Sequence, residues 1–456
     1  MREHNVMHWR RAMAMAMVLL ITAATISAAV IAQDAPAKKG QPAAKHDAEQ
    51  FLRVAEKPGK SITLEIASRD YVPREGEGPT VTLVGVAHIG ERGFYRGLQK
   101  ELAEYDLVLY ESVLPAGARG AAGATDDERI AGTEAAMGFV GGLVETFHDV
   151  RERYPDDLAQ VRDFATDLDA RLGNWLDNAS RDGWGRALKY EKREDGAAYE
   201  LISLGRDGRP GGEGPDADID MADLPPPQSM AGEDESDNIQ AQLADALRLE
   251  FQLLALDYDQ ENWRCSDMAL DQVDRALAER GVDFELVSGA LAGTSLFAKV
   301  AKVFLGVMRL ADAMLDGAIA DMMKVVMIEM LGDESMIEMS MGQFGEGFGE
   351  VIVDMRNQVV IDDLKLVVEQ EPKVKSIAVL YGAAHMGDMA DRLGEQLDYI
   401  AAEARWHPAI VVDFERSAVP ERDLRQMRMM MRQAMRMQMQ APPKRTQEQE
   451  KEQEPR

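Results

Sequence analysis

Two apolar segments, far apart in the chain, each end in a glycine that is followed three residues later by a histidine. The first is TVTLVGVAH (80–88) and the second is KSIAVLYGAAH (375–385). Continuous runs of β-branched and other apolar residues predict strands buried on both faces, which are typical of parallel sheets. A glycine at the end of such a strand lets the backbone turn or pack closely. The chain is therefore expected to contain a parallel sheet in which both histidines follow a strand.

The residues after the first histidine predict a strand–helix–strand unit. ERGFYRGLQKELAEY (91–105) has the apolar spacing of a helix, and DLVLYES (106–112) is a second strand candidate that carries Glu111 near its end. A connection of this kind favours parallel strands. Because ligands bind outside the carboxyl ends of parallel strands, we expect His88, Glu111 and His385 to converge.

Two imidazoles and a carboxylate at one sheet edge suit two kinds of chemistry. They can hold a divalent metal that keeps an open position for water. They equally suit acid–base catalysis without a metal. A histidine at a strand end can also be an ordinary hydrogen-bonded surface residue, so these residues alone leave all three alternatives open.

Charge and cysteine content exclude several classes of site and partner. The 456 residues carry a formal net charge of −29, which argues against nucleic acid, because phosphate binding needs a basic face. The single cysteine, Cys265, excludes an intramolecular disulfide and a cysteine-based zinc cage. We expect Cys265 to be a buried structural thiol, His148 to lie on the surface and His407 to be structural.

The N-terminus has the pattern of a secretory signal peptide. A short basic stretch precedes AMAMAMVLLITAATISAAVIA (12–32), which is apolar and ends in small residues. We expect cleavage after Ala32. If uncut, the segment is long enough to act as a membrane tether. The protein is therefore expected to be exported, whether periplasmic, secreted or membrane-anchored.

Four segments resemble the TraB/GumN family, which also includes PrgY and the Tiki proteases. The two strand–histidine segments are similar to the family's paired GxxH motifs, and Glu111 is similar to the acid of the following strand. QLLALDYDQENWRCSDMALDQV (252–273) and DMRNQVVIDDLKLVVEQ (354–370) resemble its intermediate segments. The resemblance covers residues 61–113 and 247–415.

The resemblance implies a metal-dependent hydrolase that is peptidase-like. His88, Glu111 and His385 would be catalytic groups and ligands of a divalent transition metal (manganese, cobalt or zinc), and a peptide or small molecule would be the substrate. Arg356 would be a catalytic-site residue that holds a carboxylate or a developing negative charge. Asp267 is a weaker candidate, since it could instead cap the next helix. The alternative is a protein that binds a peptide or ligand without turnover.

A separate Gly- and Asp-rich segment resembles another family. YELISLGRDGRPGGEGPDADI (199–219) is similar to the C-terminal part of the major, G-type pseudopilin of type II secretion. That resemblance implies a calcium site formed by Asp207, Asp216 and Asp218, with glycines that let the loop curl around the ion. Without it, a flexible acidic loop would be expected. Such a module could dock the chain onto a secretion or surface assembly.

The expected fold is α/β, with a mixed, largely parallel sheet flanked by helices and a small inserted pseudopilin-like β module. Helices are expected within 133–180, 239–258, 269–281 and 296–331. The C-terminal tail is expected to be either a disordered end or a soft partner-binding helix, since its Met- and Arg-rich part could form a helix. The expected organisation is a signal peptide 1–32, a linker 33–59, the first part of the TraB/GumN-like domain 60–113, a loop and helical insertion 114–181, the calcium-binding module 182–222, a linker 223–238, the second part of the domain 239–418 and a low-complexity tail 419–456.

Overall fold

A computed structural model describes residues 50–121, 123, 125–227, 229, 239–282, 305–306, 308–332 and 347–440. The predicted signal peptide lies outside these residues. The strands are β1 (Leu52–Lys57), β2 (Ser61–Pro73), β3 (Thr80–Val86), β4 (Ile89–Gly90), β5 (Leu107–Tyr110), β6 (Lys189–Lys192), β7 (Tyr199–Ser203), β8 (Ile219–Asp220), β9 (Glu250–Phe251), β10 (Trp263–Cys265), β11 (Ser376–Gly382) and β12 (Tyr399–Asp413).

The helices lie between these strands and after them. They are α1 (Arg92–Leu102), α2 (Asp126–Arg151), α3 (Leu158–Leu168), α4 (Ala170–Ala179), α5 (Ile239–Ala246), α6 (Gln252–Ala255), α7 (Leu270–Glu279), α8 (Ala318–Leu331), α9 (Arg356–Gln370), α10 (Met386–Leu397) and α11 (Glu421–Gln440). A π-helical segment, Glu350–Met355, leads directly into α9.

The central sheet has seven strands, and its parallel half confirms the expected α/β fold. β3, β11, β5 and β10 are neighbours in that order and run parallel. β2 continues the sheet antiparallel to β3, and β1 and β12 pair antiparallel with β2. The predicted strand–helix–strand unit is β3–α1–β5, with β11 inserted between its two strands. That insertion makes the ends of β3, β11 and β5 adjacent.

The alternation of side chains along β11 explains why this strand is apolar throughout. Ile377, Val379 and Tyr381 pack on one face of the sheet in a core that includes residues of α9 and α10. Ala378 and Leu380 pack on the other face, in the core that contains α1 and α2. Successive side chains of a strand point to opposite faces, so a strand covered by helices on both sides needs apolar residues at every position.

The insertion between β5 and β10 is packed onto the rest of the protein. Its helices α2, α3 and α4 and the antiparallel sheet β6–β7–β8 share one apolar core with the central sheet. α2 begins with a capping box, in which Thr125 accepts from the backbone of Glu128 and the Glu128 side chain accepts from the backbone of Thr125. Arg206 of the Gly-rich loop forms an ion pair with Asp126 at the start of α2.

Three segments differ from the expectation. β1 lies within the predicted linker 33–59, because its residues pair with β2. The helix predicted over 239–258 is interrupted: Arg248 has a left-handed backbone (φ 57°), and β9 then pairs with β4. Within the C-terminal tail, Glu421–Gln440 forms α11, which packs on its own chain: Arg428 and Arg432 bind the buried carboxylate of Glu329 on α8. The pairing of β1 with β2, the pairing of β9 with β4 and the ion pairs to Glu329 decide these three segments, and local periodicity reveals none of these contacts.

None of the helices in the described residues combines the length and apolarity that a membrane span requires.

Candidate functional site

A cavity of about 420 Å³ opens at the carboxyl ends of β3, β5 and β11. Its polar lining contains Gln240 and the four residues singled out from the sequence: His88, Glu111, Arg356 and His385. The remaining wall is mostly apolar and includes Leu52, Leu64, Ile66, Leu243, Leu331, Ile352 and Val353. A mostly apolar cavity with a few convergent polar groups is the usual form of a small-ligand site.

The glycines of the two GxxH segments have different roles. A Cβ atom at Gly85 would lie 2.7 Å from the Ile66 side chain and 3.1 Å from the Ala67 carbonyl oxygen, so β3 can approach β2 only with glycine there. Gly382 donates its backbone N–H to Glu111 Oε2 at 2.6 Å. A side chain at Gly382 would crowd that carboxylate, since its Cβ would lie 3.2 Å from the same oxygen.

A buried ion cluster occupies one side of the cavity and consists of Arg356, Glu111 and Asp267. The Arg356 guanidinium donates to both Asp267 oxygens at 2.8 and 2.6 Å and to Glu111 Oε1 at 2.8 Å. Burial is the largest single influence on the pKa of Glu111 and would raise it. The positive charge of Arg356, together with His385, His88 and the N–H of Gly382, outweighs burial and holds this pKa at about 2. One guanidinium thus serves two carboxylates, and the cluster carries a net charge of −1.

His385 is buried beside this cluster, and its ring orientation is fixed by Asn357. The ring Nδ1 lies 2.7 Å from Asn357 Oδ1. The Asn357 amide nitrogen donates to the carbonyl of His385 and to Asp388, so its oxygen must face the ring. Nδ1 therefore carries the proton. Burial lowers the pKa of His385, which keeps the imidazole neutral with a free lone pair on Nε2.

The free lone pair of His385 points at a carboxylate. His385 Nε2 lies 3.7 Å from Glu111 Oε1, and both atoms are hydrogen-bond acceptors. Two acceptors face each other favourably only with a proton or a cation between them. Two ligands of one tetrahedral zinc ion lie about 3.4 Å apart, so the pair is close to the spacing that a metal would need.

His88 is the exposed member of the predicted set. It lies on the wall of the same cavity, and its charged form would lower the pKa values of Glu111 and His385. In the chain as described, no three His, Cys, Asp or Glu side chains are already arranged around a common point for a metal ion. The sequence predicts His88, on the wall of the same cavity, as the third ligand beside His385 and Glu111.

Two of these contacts were missed or undervalued from the sequence. Asp267 does not cap α7, whose first turn has no such bond; its carboxylate is fully buried against Arg356. Asn357 had no assigned role and is fully buried against His385. A helix that carries Arg356 and Asn357 side by side at buried positions needs polar partners for both, and that requirement was the available signal.

The three predicted calcium ligands each have another partner in the structure. Asp216 pairs with Arg206 through two bonds of 2.8 and 3.0 Å. Asp207 accepts from the backbone of Arg209, and Asp218 accepts from the backbone of Gly211, both at 2.9 Å. The loop turns at several glycines with positive φ: Gly205, Gly208, Gly211, Gly212 and Gly214. These carboxylates therefore stabilise the turns of the loop rather than converge on one point.

The remaining expectations for Cys265, His407 and His148 are confirmed. Cys265 is buried, and burial raises its pKa well above the ordinary range, which disfavours a nucleophilic thiolate. His407 Nε2 lies 2.9 Å from the buried hydroxyl of Ser68. His148 stacks on Tyr154 at the surface, with ring centroids 4.3 Å apart.

Comparison with known proteins concerns the inserted module. Residues 121–222 match the family model for type II secretion system protein G, which confirms the pseudopilin-like resemblance and extends it to α2, α3 and α4. The type II secretion system core protein G of Xanthomonas campestris pv. campestris is 55% identical over 38 residues, 8% of this chain. The chain spans 27% of that relative's length. No solved structure matches.

Proposed function

We propose that this chain is an exported TraB/GumN-like hydrolase whose active site is the cavity lined by His88, Glu111, Arg356 and His385. The supporting observation is the geometry of His385. Its Nε2 is held unprotonated by Asn357 and directed at Glu111, inside a cavity of ligand size. A histidine with a purely structural role would pair its unprotonated ring nitrogen with a hydrogen-bond donor, whereas Nε2 of His385 faces a carboxylate oxygen.

The charge of the site supports a cationic occupant. The cluster of Arg356, Glu111 and Asp267 has one negative charge in excess, and its side chains are at most 11% exposed. An uncompensated buried charge is costly, so a bound cation would stabilise it. A divalent transition metal would supply Lewis acidity and lower the pKa of a bound water.

The residues of the chain divide the remaining work. Neutral His385 can hold the metal through Nε2 or accept a proton there, and Asn357 keeps the ring in that orientation. Glu111 supplies a carboxylate whose second oxygen is held by the N–H of Gly382. Arg356 keeps Glu111 ionised and presents positive charge at the cavity wall, where a peptide carboxylate or a developing oxyanion would be stabilised.

Metal content tests this proposal directly. We expect the full chain, purified without chelator and dialysed against manganese, cobalt or zinc, to hold about one transition metal ion, and the His88→Ala/His385→Ala double variant to hold none. Elemental mass spectrometry gives both values. The matched control is His148→Ala/His407→Ala, which removes two histidines outside the cavity and should bind as the parent does.

Other results would change the assignment. If parent and double variant are equally free of metal after soaking, the metal mechanism is wrong, and His385 can act only as a general base or a binding group. If metal binds but peptide libraries are not cleaved, the site is that of a binding protein.

A second candidate function rests on the inserted module. The match of residues 121–222 to type II secretion protein G supports a role in docking onto a secretion assembly, with calcium in the Gly-rich loop as the ordering ion. Calcium would have to displace Arg206 from Asp216 and recruit Asp207 and Asp218. The docking surface would then form only in calcium.

A binding experiment separates this function from the first. We expect the full chain to bind purified type II secretion core protein G in calcium, and at least about tenfold more weakly in chelator or as Asp216→Ala/Asp218→Ala. Analytical ultracentrifugation provides the affinities. His385→Ala should bind as the parent does. Equal affinity in calcium and chelator would contradict the calcium role, and no binding in either would contradict docking.

A further inference from the structure

The edge strand β1 continues the line of β3. Along Ser61–Ile66, β2 pairs with β1 on one edge and with β12 on the other. Along Ser68–Tyr71, β3 takes the place of β1 on the same edge. Because β1 and β3 are both antiparallel to β2, they point in the same direction. β1 therefore extends beyond the carboxyl end of β3, along the side where the cavity lies.

The backbone groups on the outer edge of β1 point away from β2. The N–H of Ala67 donates to the carbonyl of Phe51 at 2.9 Å. In an antiparallel pair, hydrogen-bonded and non-hydrogen-bonded residues alternate, so this bond fixes which residues of β1 bond to β2. By that alternation, the N–H and C=O groups of Leu52, Val54 and Glu56 point away from β2. Within the described residues, no hydrogen bond reaches these backbone groups.

This free edge leads into the cavity. Leu52, at the start of β1, lines the cavity together with Leu64 and Ile66 of β2 and with His385. The next position across the sheet from β1 is the line along which β11 would run if it continued past Gly382. A strand added to β1 would occupy that line, with one end beside His385 and Glu111.

The chemistry of the edge fits an extended peptide. Strand addition supplies main-chain hydrogen bonds irrespective of sequence, and alternate side chains enter pockets on one face. Here that face is apolar, formed by Leu64, Ile66 and Leu331. Another edge strand, β12, carries Pro408 and two register shifts, which are features that block strand addition. Leu52–Glu56 has neither feature.

We infer that the free edge of β1 binds an extended peptide segment as an added strand and delivers it to His385 and Glu111. Five residues, Leu52–Glu56, form the edge. The part of the peptide that pairs with them therefore lies on one side of the peptide bond that enters the cavity. The inference rests on the proposed function for the fate of the peptide, whereas the binding itself can be measured without turnover.

The test uses a substitution that removes one outward N–H. Val54→Pro deletes a donor that takes no part in the β1–β2 ladder, so the sheet tolerates it. Val54→Ala is the matched control, because it loses the same side chain and keeps the N–H. The probe is a mixture of fluorescein-labelled decapeptides randomised at all positions, and fluorescence anisotropy with the full chain gives the affinity.

We expect Val54→Pro to weaken peptide binding about tenfold and Val54→Ala by less than about threefold. In the His385→Ala chain, saturating peptide should also slow amide hydrogen exchange at Leu52, Val54 and Glu56. Equal weakening by the two Val54 variants, or unchanged exchange at these amides, would overturn the inference.

The outcomes also separate this inference from the proposed function. Peptide binding with protection of β1, but without cleavage by the parent, would keep the strand-addition site and exclude the hydrolase. Cleavage with the same KM in Val54→Pro as in the parent would keep the hydrolase and exclude the strand-addition site.

Discussion

Replacement of Arg356 by leucine should lower the free energy of unfolding by about 3–5 kcal/mol, because it leaves the carboxylates of Glu111 and Asp267 buried without their shared cation. Both acids lose direct bonds of 2.6–2.8 Å. Such a loss is a large part of the stability of a typical domain, which is about 5–15 kcal/mol. Urea unfolding at neutral pH measures it.

An exposed arginine provides the control for this substitution. Arg264 pairs with Glu371 at 2.9 Å, and both side chains are about 40% exposed (44% and 39%). Arg264→Leu should therefore cost less than about 1 kcal/mol. If the two arginine variants unfold at the same urea concentration, the Arg356 cluster is solvated and does not carry the buried charge on which the proposed site depends.

Replacement of His385 by alanine should reduce hydrolysis by about 10²–10⁴-fold while the fold is retained, since it removes the only neutral imidazole aimed at Glu111 in the described part of the cavity. Turnover of a pooled peptide substrate, with circular dichroism as the check on folding, measures both. His148→Ala is the control and should leave turnover unchanged, because His148 stacks at the surface.

The pH dependence of the same reaction identifies the form of His385 that acts. Burial lowers its pKa below the usual 6.5, so the free lone pair on Nε2 is present at neutral pH and is lost as pH falls through that lowered value. The kcat/KM should rise with pH along an acidic limb and then level off. Asn357→Asp puts a carboxylate at Nδ1, raises the pKa of His385 and should move the limb to higher pH. A limb that does not move would contradict the role of His385.

Much of this site follows from local patterns in the sequence. Continuous apolar runs predict β3, β5 and β11, and the rule that ligands bind at the carboxyl ends of parallel strands brings His88, Glu111 and His385 to one edge. What local patterns do not contain is the partner of a buried polar group. The pairing of Asp267 with Arg356 and of Asn357 with His385 depends on how α9 crosses the sheet. Asp267 is far from Arg356 in sequence. The sequence also does not tell that Asn357 faces the ring of His385.

The same reason explains the errors in the flanking regions. β1 looks like part of a linker because Arg53, Glu56 and Lys57 are polar, yet β2 recruits it into the sheet. α11 looks like a low-complexity tail, yet two of its arginines find the buried Glu329 on α8. In each case a tertiary contact, with the adjacent strand β2 or with a helix about a hundred residues away in sequence, outweighs a weak local preference.

The position of β11 between β3 and β5 determines when the site can first exist during synthesis. The ribosome makes β3 and β5 early, but the strand that joins them arrives only after residue 376. Until then the two strands have no common partner, and Glu111 has neither the N–H of Gly382 nor the imidazole of His385 beside it. A nascent or truncated chain that stops before this strand therefore lacks the assembled cavity, and the cavity can form only after β11 and His385 have been made.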